Sequence, residues 1–247
     1  WREALGGNVK LIVTGGAAMQ PRLLKVFNAG QIMVREGYGL TEAPIVACNR
    51  PNVKEGVQIG TVGPLMDGVN VKIAESGEIL INGDLVMDGY YNQPEKTEEV
   101  IKDGWFYTGD VGVLEDGFLK ITGRVKEIFK TSGGKYIAPD ALENKFKESK
   151  VIEQIMVIGE NQKFASALVV PSFDSLREWC KIKEIEYSTD AEMIKHERVI
   201  QKFEKERNRY NKHFAKYEQL KKFELLSSLW TVETGELTPT MKCKRKV

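Results

Sequence analysis

Tyr38-Gly39-Leu40-Thr41-Glu42 places an aromatic ring, a hydroxyl and a carboxylate within one turn-sized segment. The ring can stack on adenine, the hydroxyl can donate to a phosphate oxygen, and the carboxylate suits Mg2+, which prefers hard oxygen ligands and few protein donors. The same residues also fit a helix start, with Thr41 as N-cap and Glu42 favoured by the dipole in the first turn, so the pentapeptide alone does not decide. A second candidate is Tyr107-Thr108-Gly109-Asp110, where a carboxylate beside glycine can accept two hydrogen bonds from a ribose diol. Asp in a turn is otherwise commonplace. Gly123-Arg124 follows, and Thr131-Ser132-Gly133-Gly134 is either a hairpin turn or a loop whose amides approach a ligand. The basic tail from Gly235 to Lys246 includes Lys242. Such a tail in isolation is usually a solvated end.

These residues need elements to position them. Residues 9–13, Val-Lys-Leu-Ile-Val, read as a buried strand delivering Thr14-Gly15-Gly16 to its C-terminal end, which is where ligands sit in α/β sheets. A helix is expected from Pro21 to Ala29, with Leu23, Leu24 and Phe27 on one side, and the next strand runs into Gly37-Tyr38-Gly39. Between Gly60 and Gly123 short strands alternate with turn pairs, the clearest being Asp116-Gly117 between Val111-Leu114 and Phe118-Ile121. A second, α+β domain is expected near Arg124. A hairpin over Ile128-Ile137 leads there to a helix beginning at Pro139 and to strands over Ile155-Ile158 and Ala165-Val170. Ile194, Val199, Phe203, Tyr210, Phe214 and Tyr217 recur at helical spacing, predicting one amphipathic helix from Asp190 to Tyr217. Packing against the second domain is its ordinary role, and a partner or membrane surface is the alternative.

Bulk composition narrows the classes. The chain has 247 residues, enough for two modest cores, and 36 Lys plus Arg against 35 Asp plus Glu give a formal charge of +1. That balance supplies no broad field for nucleic acid, and no basic, aromatic-interleaved patch is present. Cys48, Cys180 and Cys243 are far apart and odd in number, which fits reduced thiols in a cytoplasmic protein. No apolar run approaches the roughly 20 residues needed to span a bilayer. The first residue is Trp1 rather than Met, so the chain reads as an excerpt.

In order and spacing, these segments resemble the shared motifs of the adenylate-forming superfamily, which includes acyl-CoA synthetases, luciferases and peptide-synthetase adenylation domains. The resemblance covers essentially the whole chain: Gly15-Gly16-Ala17-Ala18, Tyr38 to Glu42, Gly77-Glu78-Ile79-Leu80-Ile81 through Gly89-Tyr90-Tyr91, Tyr107 to Asp110, Gly123-Arg124, and Lys242. Within it the chain is most similar to long-chain fatty acid CoA ligases. That similarity rests on Lys126 where many relatives carry Asp, on Lys130 through Pro139, on Leu237-Thr238-Pro239-Thr240-Met241-Lys242, and on the insertion ending Tyr217 to Phe223.

The resemblance implies that residues 1–124 are the C-terminal part of a large α/β AMP-binding domain with a β-rich subdomain. Residues 125–247 would be a mobile α+β lid, hinged near Lys126 and carrying a helical insertion over about 176–223. It also implies ATP, Mg2+ and CoA as cofactor and co-substrates and a long-chain fatty acid as substrate. Gly16, Ala17, Ala18, Tyr38 and Gly39 would line the nucleotide site. Thr41 would contact phosphate, Glu42 would bind Mg2+, Asp110 and Arg124 would hold the ribose, and Lys242 would be catalytic. Thr131, Ser132, Gly133 and Gly134 would help form the pantetheine tunnel. A peripheral membrane contact is compatible with such a substrate. His196 and His213 receive no catalytic role. The Ser/Thr/Gly-rich phosphate loop followed by Pro-Lys-Gly, which the superfamily carries, is not found, so this chain alone is expected to turn over slowly or not at all. The alternatives are a ligase for an aryl or amino acid using a carrier-protein thiol, and a non-catalytic nucleotide- or partner-binding fragment.

Overall fold

The computed structural model describes residues 1–52, 55–239 and 243–245, so Lys242 lies outside the described residues. The chain forms two compact units, Trp1–Lys126 and Glu127–Val247.

Unit 1 opens with strand β1 (Ile12–Thr14), helix α1 (Pro21–Ala29), β2 (Val34–Leu40) and β3 (Ala43–Cys48). β1 pairs parallel to β2, and β2 antiparallel to β3. Pro21 opens α1, where its missing N–H costs nothing, and Leu24 is buried against Ile32 and Val34. The expectation of a buried first strand fails: Leu11 and Val13 are exposed, as is Leu23 of α1. Alternation along a strand explains this, because only Ile12 turns toward the Leu24 cluster and its neighbours point the other way.

Thr41 and Glu42 do not start a helix; they are the turn of the β2–β3 hairpin, with Leu40 opposite Ala43. Gly39 makes the turn possible, since a Cβ there would collide with the Pro44 carbonyl. The register slips between Tyr38 and Leu40, so Gly39 sits in a bulge.

The β-rich part contains β4 (Gly63–Pro64), β5 (Asn70–Ile73), β6 (Glu78–Asn82), helix α2 (Pro94–Val100), β7 (Ile101–Lys102), β8 (Trp105–Glu115) and β9 (Phe118–Arg124). Six strands form one sheet in the order β4-β9-β8-β6-β5, with β7 on β8. Asp116 and Gly117 both take positive φ, 49° and 81°, in a two-residue hairpin turn of the primed class. Ile79, Ile81, Phe106 and Leu119 from this sheet pack with Ala43, Val46 and Ala47 of β3 into one core.

Unit 2 contains β10 (Phe129–Lys130), β11 (Tyr136–Ile137), α3 (Pro139–Phe146), β12 (Ile152–Ile158), β13 (Ser166–Pro171), α4 (Phe173–Ile182), α5 (Asp190–Met193), α6 (Glu197–Asn211) and β14 (Lys222–Leu225). β12, β13 and β14 form a sheet, antiparallel then parallel, beside the β10–β11 hairpin. Ile155, Leu176, Met193, Val199 and Phe203 lie in its core. The single helix expected from Asp190 to Tyr217 is two. His196 adopts extended backbone and its Nδ1 accepts the Arg198 N–H at 3.2 Å, so the chain restarts as α6 from a cap. At the other end Asn211 bonds both backbone groups of Leu220, at 2.9 and 3.0 Å, and the chain turns away before Phe214 and Tyr217. Among the described residues no helix is long and apolar enough to cross a membrane.

Candidate functional site

In unit 1 the two best sequence candidates converge. Tyr38, from β2, donates its hydroxyl to Asp110 Oδ2 at 2.7 Å, although 72 residues separate them. Arg124 Nε donates to Asp110 Oδ1 at 2.9 Å. Asp110 and Arg124 are cross-strand partners on β8 and β9 only because of a bulge. The tight turn pairs Glu115 with Phe118 and Gly112 with Ile121, a register that would place Asp110 opposite Gly123; one extra residue at Thr122 brings Arg124 there instead.

The Asp110 carboxylate is nearly buried, its side chain 11% exposed, whereas that of Arg124 is 51% exposed. The Asp110 backbone N–H donates to Thr108 Oγ1 at 3.0 Å, and the Thr108 hydroxyl reaches the Ile79 carbonyl at 2.8 Å. Gly109 N–H donates to Glu78 at 2.9 Å, which fixes the strand through a carboxylate that drew notice only as part of a motif. Burial and the adjacent Asp110 carboxylate hold the Tyr38 phenol well above the usual tyrosine range, so the hydroxyl stays protonated and donating. An expectation of ring stacking alone misses this hydroxyl.

Glu42, at the hairpin turn, is a separate carboxylate. Tyr90 donates its hydroxyl to Glu42 Oε1 at 2.8 Å, and Met87 N–H donates to the Glu42 carbonyl at 2.8 Å. Among the described residues no three His, Cys, Asp or Glu side chains group to hold a metal ion. A lone carboxylate with one oxygen engaged nevertheless fits Mg2+, which keeps several waters and takes its remaining ligands from phosphates.

The loop at Gly15 to Ala18 follows β1 and lies against β2. Gly15 is close enough that a Cβ would sit 3.2 Å from the Gly37 carbonyl, and Met19 N–H donates to the buried Glu36 carboxylate at 2.9 Å. Burial raises the Glu36 carboxyl above its ordinary range. Gly16 has a positive φ of 75°. Gly16, Ala17 and Ala18 are thus carried beside β2, the strand that holds Tyr38.

In unit 2, Thr131 to Gly134 is the turn of the β10–β11 hairpin. Thr131 N–H donates to Lys135 O at 2.9 Å, Gly134 N–H to Thr131 O at 2.9 Å, and Ser132 N–H to Gln162 O at 2.9 Å. Thr131 is buried and Ser132, Gly133 and Gly134 are exposed. Lys126 is an exposed turn residue at the last position of unit 1. Close to Lys242 in sequence, Arg245 is saturated. It donates to Asp140 at 2.9 Å, to both oxygens of Glu143 at 2.8 and 3.0 Å, to Glu127 at 3.3 Å and to the Val157 carbonyl at 3.3 Å.

Residues 2–91 match the AMP-binding enzyme family. Over its whole length the chain is 38% identical to a long-chain-fatty-acid–CoA ligase of Mycobacterium bovis, covering 41% of that protein. Identity to the human long-chain-fatty-acid–CoA ligase 1 is 36% over 99% of this chain and 37% of the relative. The chain therefore spans about two fifths of the length of these curated relatives. Among solved structures, the adenylation domain of a carboxylate reductase from Mycobacterium chelonae aligns with a TM-score of 0.73 at 24% identity, over 99% of this chain and 37% of that one. The A-PCP didomain of a carboxylic acid reductase from Segniliparus rugosus, in complex with AMP, aligns at 0.71 with 26% identity, over 99% and 34%.

The AMP-binding match contains Gly16 to Ala18, Tyr38 to Glu42 and Tyr90, and stops short of Asp110 and Arg124. Tyr90 had no role assigned from sequence. The signal lay in Gly89-Tyr90-Tyr91, but two adjacent tyrosines gave no ground for choosing between them; Tyr91 is 88% exposed and Tyr90 is the one bonded to Glu42.

Proposed function

We propose that the full-length protein activates a long-chain fatty acid with ATP, forming acyl-AMP and pyrophosphate, and then transfers the acyl group to CoA with release of AMP. The observation that carries this reading is the Asp110 carboxylate, fixed by Tyr38 and Arg124 beside a half-exposed guanidinium, in a chain similar throughout to long-chain-fatty-acid–CoA ligases.

The chemistry sets an electrostatic task. An anionic carboxylate must approach the α-phosphorus of an anionic nucleotide, so the protein must orient the nucleotide and stabilise charge on phosphoryl oxygens. Asp110 accepts hydrogen bonds from the ribose diol while Arg124 and Tyr38 hold it in place. Gly16, Ala17 and Ala18 border the adenine with Tyr38, and Thr41 donates its hydroxyl to phosphate. Glu42 holds Mg2+, which supplies charge neutralisation at the phosphates when bound. Lys242 contributes a fixed positive charge to the adenylation step. Thioester formation does not need that charge, so residues 125–247 act as a lid that turns about Lys126 between the two half-reactions. The exposed turn from Ser132 to Gly134 then lines the path of the CoA pantetheine. A cytoplasmic location with peripheral contact at a membrane belongs to the same proposal.

A second reading is a ligase for an aryl or amino acid acting with a carrier-protein thiol; its carrier-protein part takes support from the structural likeness to the A-PCP didomain of a carboxylic acid reductase. Acid-dependent ATP–pyrophosphate exchange on the full-length protein separates the two. Stimulation by C8 to C18 fatty acids is expected; stimulation by benzoate or amino acids instead would establish the second reading, and none with any acid would refute both.

A further inference from the structure

Glu42 is gripped twice by one distant segment. Met87 N–H holds its carbonyl and the Tyr90 hydroxyl holds one oxygen of its carboxylate, both at 2.8 Å. That segment is anchored in turn. Tyr90 N–H donates to Thr97 Oγ1 at 2.9 Å, and Thr97, in α2, donates to the Gln93 carbonyl at 3.0 Å. Gly89 lies so near Thr97 that a Cβ would fall 2.8 Å from its Cγ2, so the backbone before Tyr90 is seated on α2. The phenol therefore has a fixed base and a fixed target. The backbone contact from Met87 already staples the two segments, which leaves the phenol contact free to serve the carboxylate. A neutral donor on Oε1 selects one rotamer of Glu42 without cancelling its charge, and it leaves the other oxygen for a hard cation.

We infer that Tyr90 is a positioning residue that orients the Glu42 carboxylate toward a divalent cation arriving with the nucleotide phosphates. The inference rests on the reading of Glu42 as the Mg2+ ligand. In metal sites, loss of such an outer partner costs about 10- to 100-fold in metal affinity or activity.

The test is calorimetric titration of ATP into the full-length protein, once with EDTA and once with saturating Mg2+, so that the readout is the gain in affinity that Mg2+ confers. Tyr90→Phe is expected to cut that gain about tenfold while leaving metal-free ATP affinity and Tm unchanged. Glu42→Gln is expected to cut it at least as far, with no further loss in the double variant, and Tyr91→Phe, at the exposed neighbour, is expected to change nothing. If Glu42→Gln reduces the gain and Tyr90→Phe does not, the positioning role is refuted and the Glu42 reading stands. If Glu42→Gln leaves the gain intact, both fall. Equal losses with and without Mg2+ in Tyr90→Phe would show a general structural contact and overturn the inference.

Discussion

Arg124 and Arg245 each pair with a carboxylate at 2.8–2.9 Å, yet they do opposite things. Arg124 engages Asp110 through Nε and its side chain is 51% exposed; Arg245 engages Glu127, Asp140 and Glu143 through all three guanidinium nitrogens and is 19% exposed. Distance alone would rank them as equals. What separates them is how many donors remain for something else: by that measure the unit 1 pair suits the nucleotide site we propose, and the unit 2 pair holds a tail against α3 and β12.

The comparison breaks most readily at Arg245. Arg245→Met leaves Glu143, whose side chain is 7% exposed, without its cation, and removing one partner of a buried pair costs about 3–5 kcal/mol. Denaturant unfolding should show that loss; a change below about 1 kcal/mol, the range of exposed pairs, would put Arg245 in the same class as Arg124. The loss should also depend on pH. Burial pushes the Glu143 carboxyl above the usual carboxylate range, and Arg245 pulls it down. Without Arg245 the folded state holds that proton to higher pH than the unfolded state does. Stability is then retained below the ordinary carboxylate pKa and lost as pH rises through the raised folded one, so the variant's deficit should be largest near neutrality and shrink on acidification. A deficit that grows on acidification would reverse the assignment.

Arg124→Ala is the smaller and complementary change. Asp110 keeps the Tyr38 hydroxyl when Arg124 is removed, and the half-exposed guanidinium leaves its place to solvent, so the stability cost should be about 1 kcal/mol, well below that at Arg245. ATP affinity in the full-length protein should nevertheless fall by about tenfold or more, since a hydrogen bond to a charged group is worth about 1.5–3 kcal/mol. A variant that still folds but loses about 3 kcal/mol of stability or more while keeping its nucleotide affinity would invert the contrast between the two arginines.

How far the sequence carried each region follows from the range of the forces involved. The Asp116-Gly117 hairpin and the Pro21 start of α1 are set by local backbone chemistry, and both stand where expected. At Thr41-Glu42 the residue types suit a helix cap as well as a ligand contact, and neither reading includes the hairpin turn; Gly39 and the close approach of Pro44 set that turn, and the approach is tertiary. The break before α6 depends on a histidine cap, and its end on Asn211 meeting Leu220, neither of which helical periodicity records. Within the site, Asp110 and Arg124 stood out as residue types, but their pairing depends on the bulge at Thr122, and the Tyr38 contact links strands of two different sheets. The saturation of Arg245 was invisible for the same reason: its partners lie up to 118 residues away.

The central claim is that Asp110, held by Tyr38 and Arg124, receives a nucleotide ribose. Its most direct test is the Kd of AMP against 2′-deoxy-AMP and 3′-deoxy-AMP for the full-length protein, repeated with Asp110→Asn. The account predicts that each deoxy analogue binds about tenfold or more weakly than AMP, one lost hydrogen bond to a charged acceptor being worth about 1.5–3 kcal/mol, and that the difference collapses in Asp110→Asn. Equal affinity of the wild-type protein for all three nucleotides would contradict it.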